Sequence, residues 1–194
     1  MRQRGRVIAL VGVTAGLLAW PRAGAAQTVV GNANVVRSTT VGVLGPTTVT
    51  LAATGALGGT ADALDATEVT ASIPAVFAGE VLNAVTVGWP DQVASEASVA
   101  NVGLTVGGTG ISADFVMARS LAALDGSGGG SALIDNLSIG GVPVVVTGEV
   151  NQTVAIPGGQ VVINEQTGGT VNALHATVAG VADVVIASAT AAIQ

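Results

Sequence analysis

The sequence predicts an all-β fold, a single antiparallel β-sandwich-like domain of about ten to twelve strands. Apolar and polar residues alternate with a period of two in runs rich in Val, Thr and Ala, which is typical of half-buried strands. Gly-Gly and Pro-Gly pairs separate these runs, as tight hairpins require. Helical composition is scarce, because only Pro74–Asn83 and Met117–Leu124 have it, and neither combines a cap with an apolar stripe.

Residues 1–26 have the composition of a secretory signal peptide. Three arginines near the start precede an apolar run, Val7–Trp20, and small residues follow it. This order predicts cleavage after Ala25 or Ala26 and places the β domain in residues 27–194. The apolar run is shorter than the roughly 20 residues that a membrane anchor needs. We expect the mature chain to be secreted or periplasmic, soluble and without membrane insertion.

Charge excludes several classes of partner. All twelve acidic residues lie beyond the leader, where Arg37 and Arg119 are the only positive charges, so two arginines against twelve carboxylates leave a formal net charge of −10. Nucleic acid is excluded as a partner because binding to phosphates needs clusters of Lys or Arg. The chain has no Cys, so the fold has to rest on its apolar core without disulfides.

The alternation also predicts which side chains face the core. In chain order the predicted core-facing sets are Val49 and Leu51; Val102, Leu104 and Val106; Ile111, Ala113, Phe115 and Met117; Leu133, Leu137 and Ile139; Val142, Val144 and Val146; and Val161 and Ile163. Two further runs, Thr170–Val178 and Val181–Ala191, end the chain.

Turns are predicted wherever small residues separate two apolar runs. The predicted hairpins lie at Gly107-Gly108, Gly140-Gly141, Pro157-Gly158-Gly159, Gly168-Gly169 and Ala179-Gly180. The segment Asp125–Ser131 is rich in Gly and Ser, and we interpret it as a flexible surface loop within the domain.

His175 is the single histidine of the chain. Strict alternation places it on the face of Val171, Ala173 and Thr177. A catalytic histidine needs a nucleophile and an orienting carboxylate, and a metal site needs further ligands. The chain has no Cys, no second His and no Gly-x-Ser-x-Gly motif. We therefore predict a structural role for His175 and no catalytic residues.

Asn164, Glu165, Gln166 and Asn172 are the polar residues of interest in the C-terminal strands. Amide and carboxylate side chains can satisfy backbone groups at a bulge or strand end. The alternative is that these residues form the lip of a ligand site.

The acidic residues suggest two further hypotheses. Asp62, Asp65 and Glu68 form the densest acidic cluster. Calcium needs six to eight oxygen ligands, and a spacing of three puts these residues on alternating faces of a strand, so we favour a solvated edge and predict no metal site. Five other carboxylates could pair as glycosidase acids, but the mature chain has few aromatic platforms for a sugar. These five are Glu80, Glu96, Asp114, Glu149 and Asp183.

A series of short blocks runs in order along the chain: Glu96–Leu104, Ile111–Asp114, Pro143–Val146, Asn151–Thr153, Val161–Gln166, Val171–His175 and Val181–Val185. This series resembles the choice-of-anchor P family of exported bacterial proteins, and the Asn-Glu-Gln and Asn-Ala-Leu-His blocks are its most specific parts. The resemblance implies export, a β-rich domain and a surface or extracellular setting. It implies no activity, and therefore no catalytic, cofactor-binding or metal-binding residues. The family is named for its varied surface anchors, and this chain departs from that pattern because no anchor is recognisable after Ile193.

Together these observations predict a non-enzymatic structural or interaction protein of the bacterial cell exterior, without cofactors. Its expected partner is a cell-surface protein or a glycan, and self-association is left open. One alternative is a secreted module that binds a glycan or calcium, with Asn164–Gln166 and His175 as its contacts. A less favoured alternative is a secreted hydrolase that uses scattered carboxylates.

Overall fold

A computed structural model describes residues 28–194. The predicted signal peptide, residues 1–26, lies outside the described residues. Residues 28–194 form thirteen strands and no helix, so the all-β prediction is confirmed. The strands are β1 (Val29–Gly42), β2 (Gly45–Ala53), β3 (Asp62–Ile73), β4 (Phe77–Gly88), β5 (Gln92–Val106), β6 (Thr109–Ala123), β7 (Gly128–Asp135), β8 (Ser138–Ile139), β9 (Val142–Pro143), β10 (Gln152–Ile156), β11 (Gly159–Thr167), β12 (Thr170–Val178) and β13 (Ala182–Ile193).

The strands form two antiparallel sheets that pack against each other as a β-sandwich. Sheet A has the order β10-β11-β12-β13-β1-β2. Sheet B has the order β3-β4-β5-β6-β8-β9, and β7 pairs with β6 beside β8. The core lies between the sheets and includes the fully buried Ile163, Leu174 and Ile186 of sheet A and Leu82 and Val116 of sheet B. Within the described residues, no helix has the length and apolarity of a membrane span.

The predicted glycine turns are confirmed. Gly107-Gly108 joins β5 to β6, and both glycines have positive φ, 57° and 81°. A Cβ atom on Gly107 would lie 2.9 Å from Cγ2 of Val178, so the turn also needs glycine for its close approach to sheet A. The turns at Gly140-Gly141, Gly168-Gly169 and Ala179-Gly180 join the expected strands. The turn predicted at Pro157-Gly158-Gly159 is shorter, because Gly159 is the first residue of β11 and pairs with Ile156.

The loop predicted for Asp125–Ser131 is only partly a loop. β7 begins at Gly128, which pairs with Ala122 of β6, so the connection between the two strands is a short turn. In this turn the Asp125 carboxylate accepts a hydrogen bond of 2.8 Å from the Ser127 backbone N–H. The hydrogen bonds from the Ser127 side chain and backbone lower the pKa of Asp125 from its usual value. Glycine-rich composition suggested flexibility, but the edge of β6 offers these glycines a strand partner.

A transverse row of residues crosses sheet A and interrupts the alternation in β11, β12, β13, β1 and β2; at β10 it passes through Asn151, which directly precedes the strand. The pairs on either side of Val35 place it opposite Ala187 on β13 and opposite Ala52 on β2. Continuing through the other strands, the transverse row of sheet A consists of Asn151, Asn164, Ala173, Ala187, Val35 and Ala52. Four of its members have positive φ, namely Asn151 at 61°, Asn164 at 52°, Ala187 at 54° and Ala52 at 44°. At the row two consecutive residues face the core, as Val35-Val36 do, and the alternation then continues in the opposite phase.

A second row crosses sheet B. One part of it is Val69 and Val81, which lie opposite each other on β3 and β4, and the other part is Asn101, Asp114 and Asn136. The two parts are offset between β4 and β5, where the register shifts. Val81, Asn101 and Asn136 have φ values of 51°, 50° and 54°. On β4, residues 81 and 82 lie opposite the single residue Val99, which is a β-bulge. In this sheet two consecutive residues face solvent at the row, as Glu80 and Val81 do.

The transverse rows overturn some of the predicted core-facing sets. Phe115 and Met117 were expected on the core face, but Val116 and Ala118 are buried instead. The reason is that Asp114 lies in the row of sheet B, where the phase of β6 reverses.

The same reversal affects the neighbouring edge of sheet B. Leu133 is 45% exposed, and Ile134 takes the predicted core position with 6% exposure, because Asn136 belongs to the row. Val142 is also exposed, since it lies in a two-residue strand at a hairpin, whereas Val144 and Val146 pack partly against the core.

Candidate functional site

His175 lies on the outer face of sheet A. The phase of β12 reverses at Ala173, so Leu174 faces the core and His175 faces outward. The prediction that His175 shares the face of Val171 and Ala173 is therefore wrong, whereas Thr177 does share its face.

Two carboxylates hold the imidazole of His175 between them. Its Nδ1 lies 2.8 Å from Oε2 of Glu165, and its Nε2 lies 3.3 Å from Oδ2 of Asp183. Glu165 belongs to β11 and Asp183 to β13, the two neighbours of β12 in sheet A. The His175 side chain is 17% exposed, compared with 28% for Glu165 and 51% for Asp183. The imidazole is thus enclosed on the Glu165 side and open to solvent near Asp183.

A polar row continues from this histidine across four strands. Glu165, Asn172, Ser188 and Asn34 lie directly opposite one another on β11, β12, β13 and β1. Asn172 Nδ2 donates to Glu165 Oε2 at 2.6 Å, and Ser188 Oγ donates to Asn172 Oδ1 at 2.7 Å. Asn34 Oδ1 is buried and has no hydrogen-bond partner within the described part of the chain. We call these four residues and His175 the outer polar row; each of the four lies next to a member of the transverse row.

The chemistry of the outer polar row follows from these bonds. The Ser188 hydroxyl donates to Asn172, and the hydrogen-bond partners of His175 among residues 28–194 are its two carboxylates. Nucleophilic catalysis by a serine needs its hydroxyl within hydrogen-bond reach of the base, and this arrangement does not provide it. What the row does provide is a chain of cross-strand bonds that fixes the register of β11, β12 and β13.

Asn164 and Gln166 have a different role from Glu165, which lies between them on the opposite face. Asn164 is buried, and its Nδ2 donates to the Gly148 carbonyl at 3.0 Å. Gln166 Nε2 donates to Asn164 Oδ1 at 2.8 Å and to the Gly130 carbonyl of sheet B at 3.0 Å. The Gln166 backbone N–H donates to Asn151 Oδ1 at 3.0 Å. These contacts support the interpretation that the amides satisfy backbone groups, and they also join the two sheets.

Asp62, Asp65 and Glu68 do not converge on one point. The Asp62 carboxylate accepts a hydrogen bond of 2.7 Å from the Gly58 N–H and so fixes the turn before β3. Glu68 Oε1 accepts a hydrogen bond of 2.9 Å from the Ala52 N–H and links the edges of the two sheets. Asp65 is exposed. Residues 28–194 contain no group of three or more His, Asp or Glu side chains that could hold a metal ion.

Four of the five carboxylates considered for glycoside hydrolysis pair with four different side chains. Glu80 accepts from Asn101 at 2.7 Å, Asp114 accepts from Asn136 at 2.6 Å, Glu96 pairs with Arg119, and Asp183 contacts His175. The fifth, Glu149, is exposed. Asn101 and Asn136 belong to the transverse row of sheet B, so carboxylate–amide pairs accompany the interrupted alternation in both sheets.

Several shallow grooves formed by residues 28–194 lie outside the outer polar row, and two of them have volumes of 400 Å³ or more. One has a volume of about 490 Å³ and lies between the β6–β7 and β11–β12 turns; its lining contains many glycines, with Gln166 and Thr170 among the polar side chains and no charged or aromatic residue. The other, of about 400 Å³, lies on the outer face of sheet B, where Val85, Val87 and Leu121 surround the Glu96–Arg119 pair.

Comparisons with protein-family models, with curated proteins and with solved structures found no match to this chain. The resemblance to the choice-of-anchor P family therefore stays a prediction.

Sequence reasoning missed Ser188, Asn34 and Asn136. A detectable signal was present for Asn136, because asparagine between two apolar runs is a frequent occupant of the left-handed region. The part played by Ser188 and Asn34 depends on strand pairing, which local patterns do not specify.

Proposed function

We propose that this chain is a non-enzymatic, exported structural or interaction protein of the bacterial cell exterior. The observation that carries the proposal is how the polar side chains of sheet A are used. His175, Glu165, Asn172 and Ser188 bond to one another across strands, and the hydroxyl in this group faces an amide instead of the imidazole. An active site needs polar groups held ready for a substrate, whereas these groups satisfy each other.

Two features of the sequence support the setting at the cell exterior. Residues 1–26 have the order of charge, apolar run and small residues that export requires. The resemblance to the choice-of-anchor P family implies the same location. The high negative charge of the remaining chain favours solubility and disfavours nucleic acid.

Expression of the full chain in a bacterial host tests the location. We expect the protein outside the cytoplasm, with an N-terminus at Ala26 or Gln27, and we expect a Leu17→Arg variant, which interrupts the apolar run, to remain inside with Met1 intact. Export of the variant at the wild-type level, or a cytoplasmic wild-type protein that starts at Met1, would refute the proposed location.

A turnover screen tests the absence of activity. The mature protein is incubated with cell-wall glycans and peptides, beside an E165Q/H175Q variant and an E80Q/D114N variant. Turnover that either variant abolishes while remaining folded would overturn the non-enzymatic proposal, because those side chains would then act on a substrate.

A glycan-binding module is the second candidate, and the groove of about 490 Å³ favours it. Its lining is uncharged and rich in backbone groups, which suits a neutral ligand with many hydroxyls. Saturable binding of a cell-wall glycan that Thr170→Val weakens, and that Thr153→Val on the exposed edge strand β10 leaves unchanged, would favour this candidate.

A further inference from the structure

The edge of sheet A at β2 is the open edge of this sandwich. β2 is the last strand of its sheet and pairs with β1 alone. Glu68 reaches the backbone N–H of Ala52 near its end, and residues 45–51 have no strand on their outer side within the described chain. Edge strands present unpaired N–H and C=O groups, which are a template for another strand.

Three other edge strands, β3, β10 and β7, have features that discourage pairing. β3 carries Asp62, Asp65 and Glu68, and charges on an edge oppose the approach of another sheet. β10 is only five residues long. The side chain of Gln152, its first residue, donates a hydrogen bond to the Val145 carbonyl, so the preceding segment lies against the start of this edge strand. β7 begins with three glycines and ends in Asp135.

β2 lies in the longest uncharged stretch of the mature chain. Residues 38–61 contain no Asp, Glu, Lys, Arg or His, although the mature chain carries twelve carboxylates. Two copies of a chain with a net charge of −10 repel each other over most of their surface. The repulsion is weakest where both copies present this uncharged segment.

The hairpin that leads into β2 also exposes apolar side chains. Pairing of β13 with β1 ends at Thr40, whereas the β1–β2 pairing continues to Gly42 and Gly45. Beyond the last rung with β13, Val43 is 105% exposed and Leu44 is 102% exposed. The Val41 N–H still bonds to the Val181 carbonyl at 2.9 Å, so only the turn extends beyond β13. A turn with two fully exposed apolar side chains beside an open edge is costly to leave in water.

We propose that this edge is a self-association surface, on which β2 of a second copy pairs antiparallel with β2 of the first. Main-chain hydrogen bonds form the contact, and the two six-stranded sheets A become one continuous sheet around a twofold axis. Pairing of residues 45–51 with the same residues of the second copy is centred on Thr48. Pro46 has no N–H and the Ala52 N–H is bonded to Glu68, so Thr48 and Thr50 donate the main-chain hydrogen bonds of this contact. It brings Leu44 beside the partner's Ala52 and covers the apolar tip. Residues 47–50, Thr-Thr-Val-Thr, are all β-branched and suit a strand.

This inference deepens the proposed function, because it names a second copy of this chain as a partner of the interaction protein. In that respect alone it rests on the proposed function. Sedimentation velocity on the mature chain, over roughly 1 to 100 μM at physiological salt, measures the association. We expect a monomer–dimer equilibrium that Thr48→Lys weakens by about tenfold or more, because the two lysines face each other across the axis. Thr105→Lys is the matched control: Thr105 is exposed on β5, which has neighbours on both sides, and the substitution changes the net charge equally.

Three results would overturn the inference. The wild-type chain could remain a monomer over the whole range, or Thr48→Lys could dimerise as well as Thr105→Lys. The third is binding of the monomer to neutral phosphatidylcholine vesicles through Leu44, which would make a lipid surface the occupant of the tip. A monomer that is still exported to the cell exterior would leave the proposed function standing.

Hydrogen exchange of the wild-type protein gives a readout that does not depend on any variant folding. Exchange of the Thr48 and Thr50 amides, which point away from β1, should slow as the protein concentration rises, while exchange in β5 stays unchanged. Protection of these two amides that does not vary with concentration would also contradict the inference.

Discussion

At the scale of single residues, the left-handed residues inside strands decide which side chains reach the core. Asn101 and Asn164 adopt this conformation, which asparagine tolerates better than most residues. Val81 adopts it as well, at a φ of 51°, and a β-branched residue there is strained. The strain persists because pairing on both sides of the bulge fixes the backbone of β4.

Val81→Gly tests this strain. Val81 is 61% exposed, so its removal loses little packing, and glycine adopts positive φ without a Cβ clash. We expect the free energy of unfolding to rise by about 1 kcal/mol. Val69→Gly is the matched control, because Val69 lies opposite on β3, is 78% exposed and lacks positive φ. That variant should lose about 1 kcal/mol through backbone entropy. Urea denaturation of both variants measures the two changes in unfolding free energy. If both substitutions destabilise the protein, Val81 is not strained.

Leu174→Ala and Leu133→Ala test the core as the transverse rows define it. Leu174 is fully buried, whereas Leu133 is 45% exposed although simple alternation places it in the core. We expect Leu174→Ala to cost about 2–5 kcal/mol of unfolding free energy and Leu133→Ala less than about 1 kcal/mol. Equal costs in chemical denaturation would mean that the phase of β7 is not reversed.

Single residues also show where sequence reasoning ends. The prediction that Leu104, Val106 and Ile163 face the core is confirmed. It holds because no row residue interrupts the alternation within residues 102–106 or 161–163. The facing of His175 was wrong because Ala173, which carries no sequence signal for a reversal, lies between it and Val171. A reversal at alanine is decided by pairing with Asn164 and Ala187, and these neighbours are distant in the sequence.

At the scale of elements, the residues of the turns were enough to predict the hairpins, whereas the order of strands at the sheet edges could not be predicted from local sequence. A glycine pair between two apolar runs specifies a tight turn by itself. The placement of β7 and β8 along the same strand β6 needs knowledge of which edge is free. The Asn164–Gln166 contacts with Gly148 and Gly130 likewise depend on the approach of separate segments.

Glu68 is the element-scale feature with the clearest energetic consequence. Its carboxylate accepts from the Ala52 N–H and joins the edge of sheet B to the edge of sheet A. We expect Glu68→Ala to lower the unfolding free energy by about 1–2 kcal/mol, because a charged acceptor is lost from a half-buried backbone donor. Asp65→Ala removes the same charge from an exposed position three residues away and should change it by less than about 0.5 kcal/mol. Thermal and urea unfolding of the two variants, compared at one salt concentration, would contradict this role if they matched.

At the scale of the whole molecule, the balance of charge opposes compaction. Two arginines accompany twelve carboxylates in the mature chain, and one of the arginines, Arg119, already pairs with Glu96. Repulsion among the remaining carboxylates destabilises the folded state, and salt screens it over a Debye length of about 10 Å at 0.1 M.

Raising NaCl from low to physiological concentration should therefore raise the Tm. For a chain of this size, each 1 kcal/mol corresponds to about 2–4 °C. The increase should be smaller in an Asp65→Asn/Glu149→Gln variant, because both carboxylates are exposed and their removal relieves part of the repulsion. Differential scanning calorimetry at low protein concentration measures it, and a Tm that falls with salt in the wild-type protein would refute the role of repulsion.

The transverse rows also set which residues face the core on the strands that they cross, because the alternation of each of these strands reverses at its row residue. Between a row and the next turn, removing one residue would exchange the inside and outside of the rest of that half-strand; without Leu174, for example, His175 would face the core. Removing two residues would shorten the sandwich by one step and leave every facing intact. We therefore expect homologous chains to differ in strand length by even numbers, with gaps at the turns and none across the rows. This architecture therefore tolerates changes in strand length by an even number of residues better than changes by an odd number.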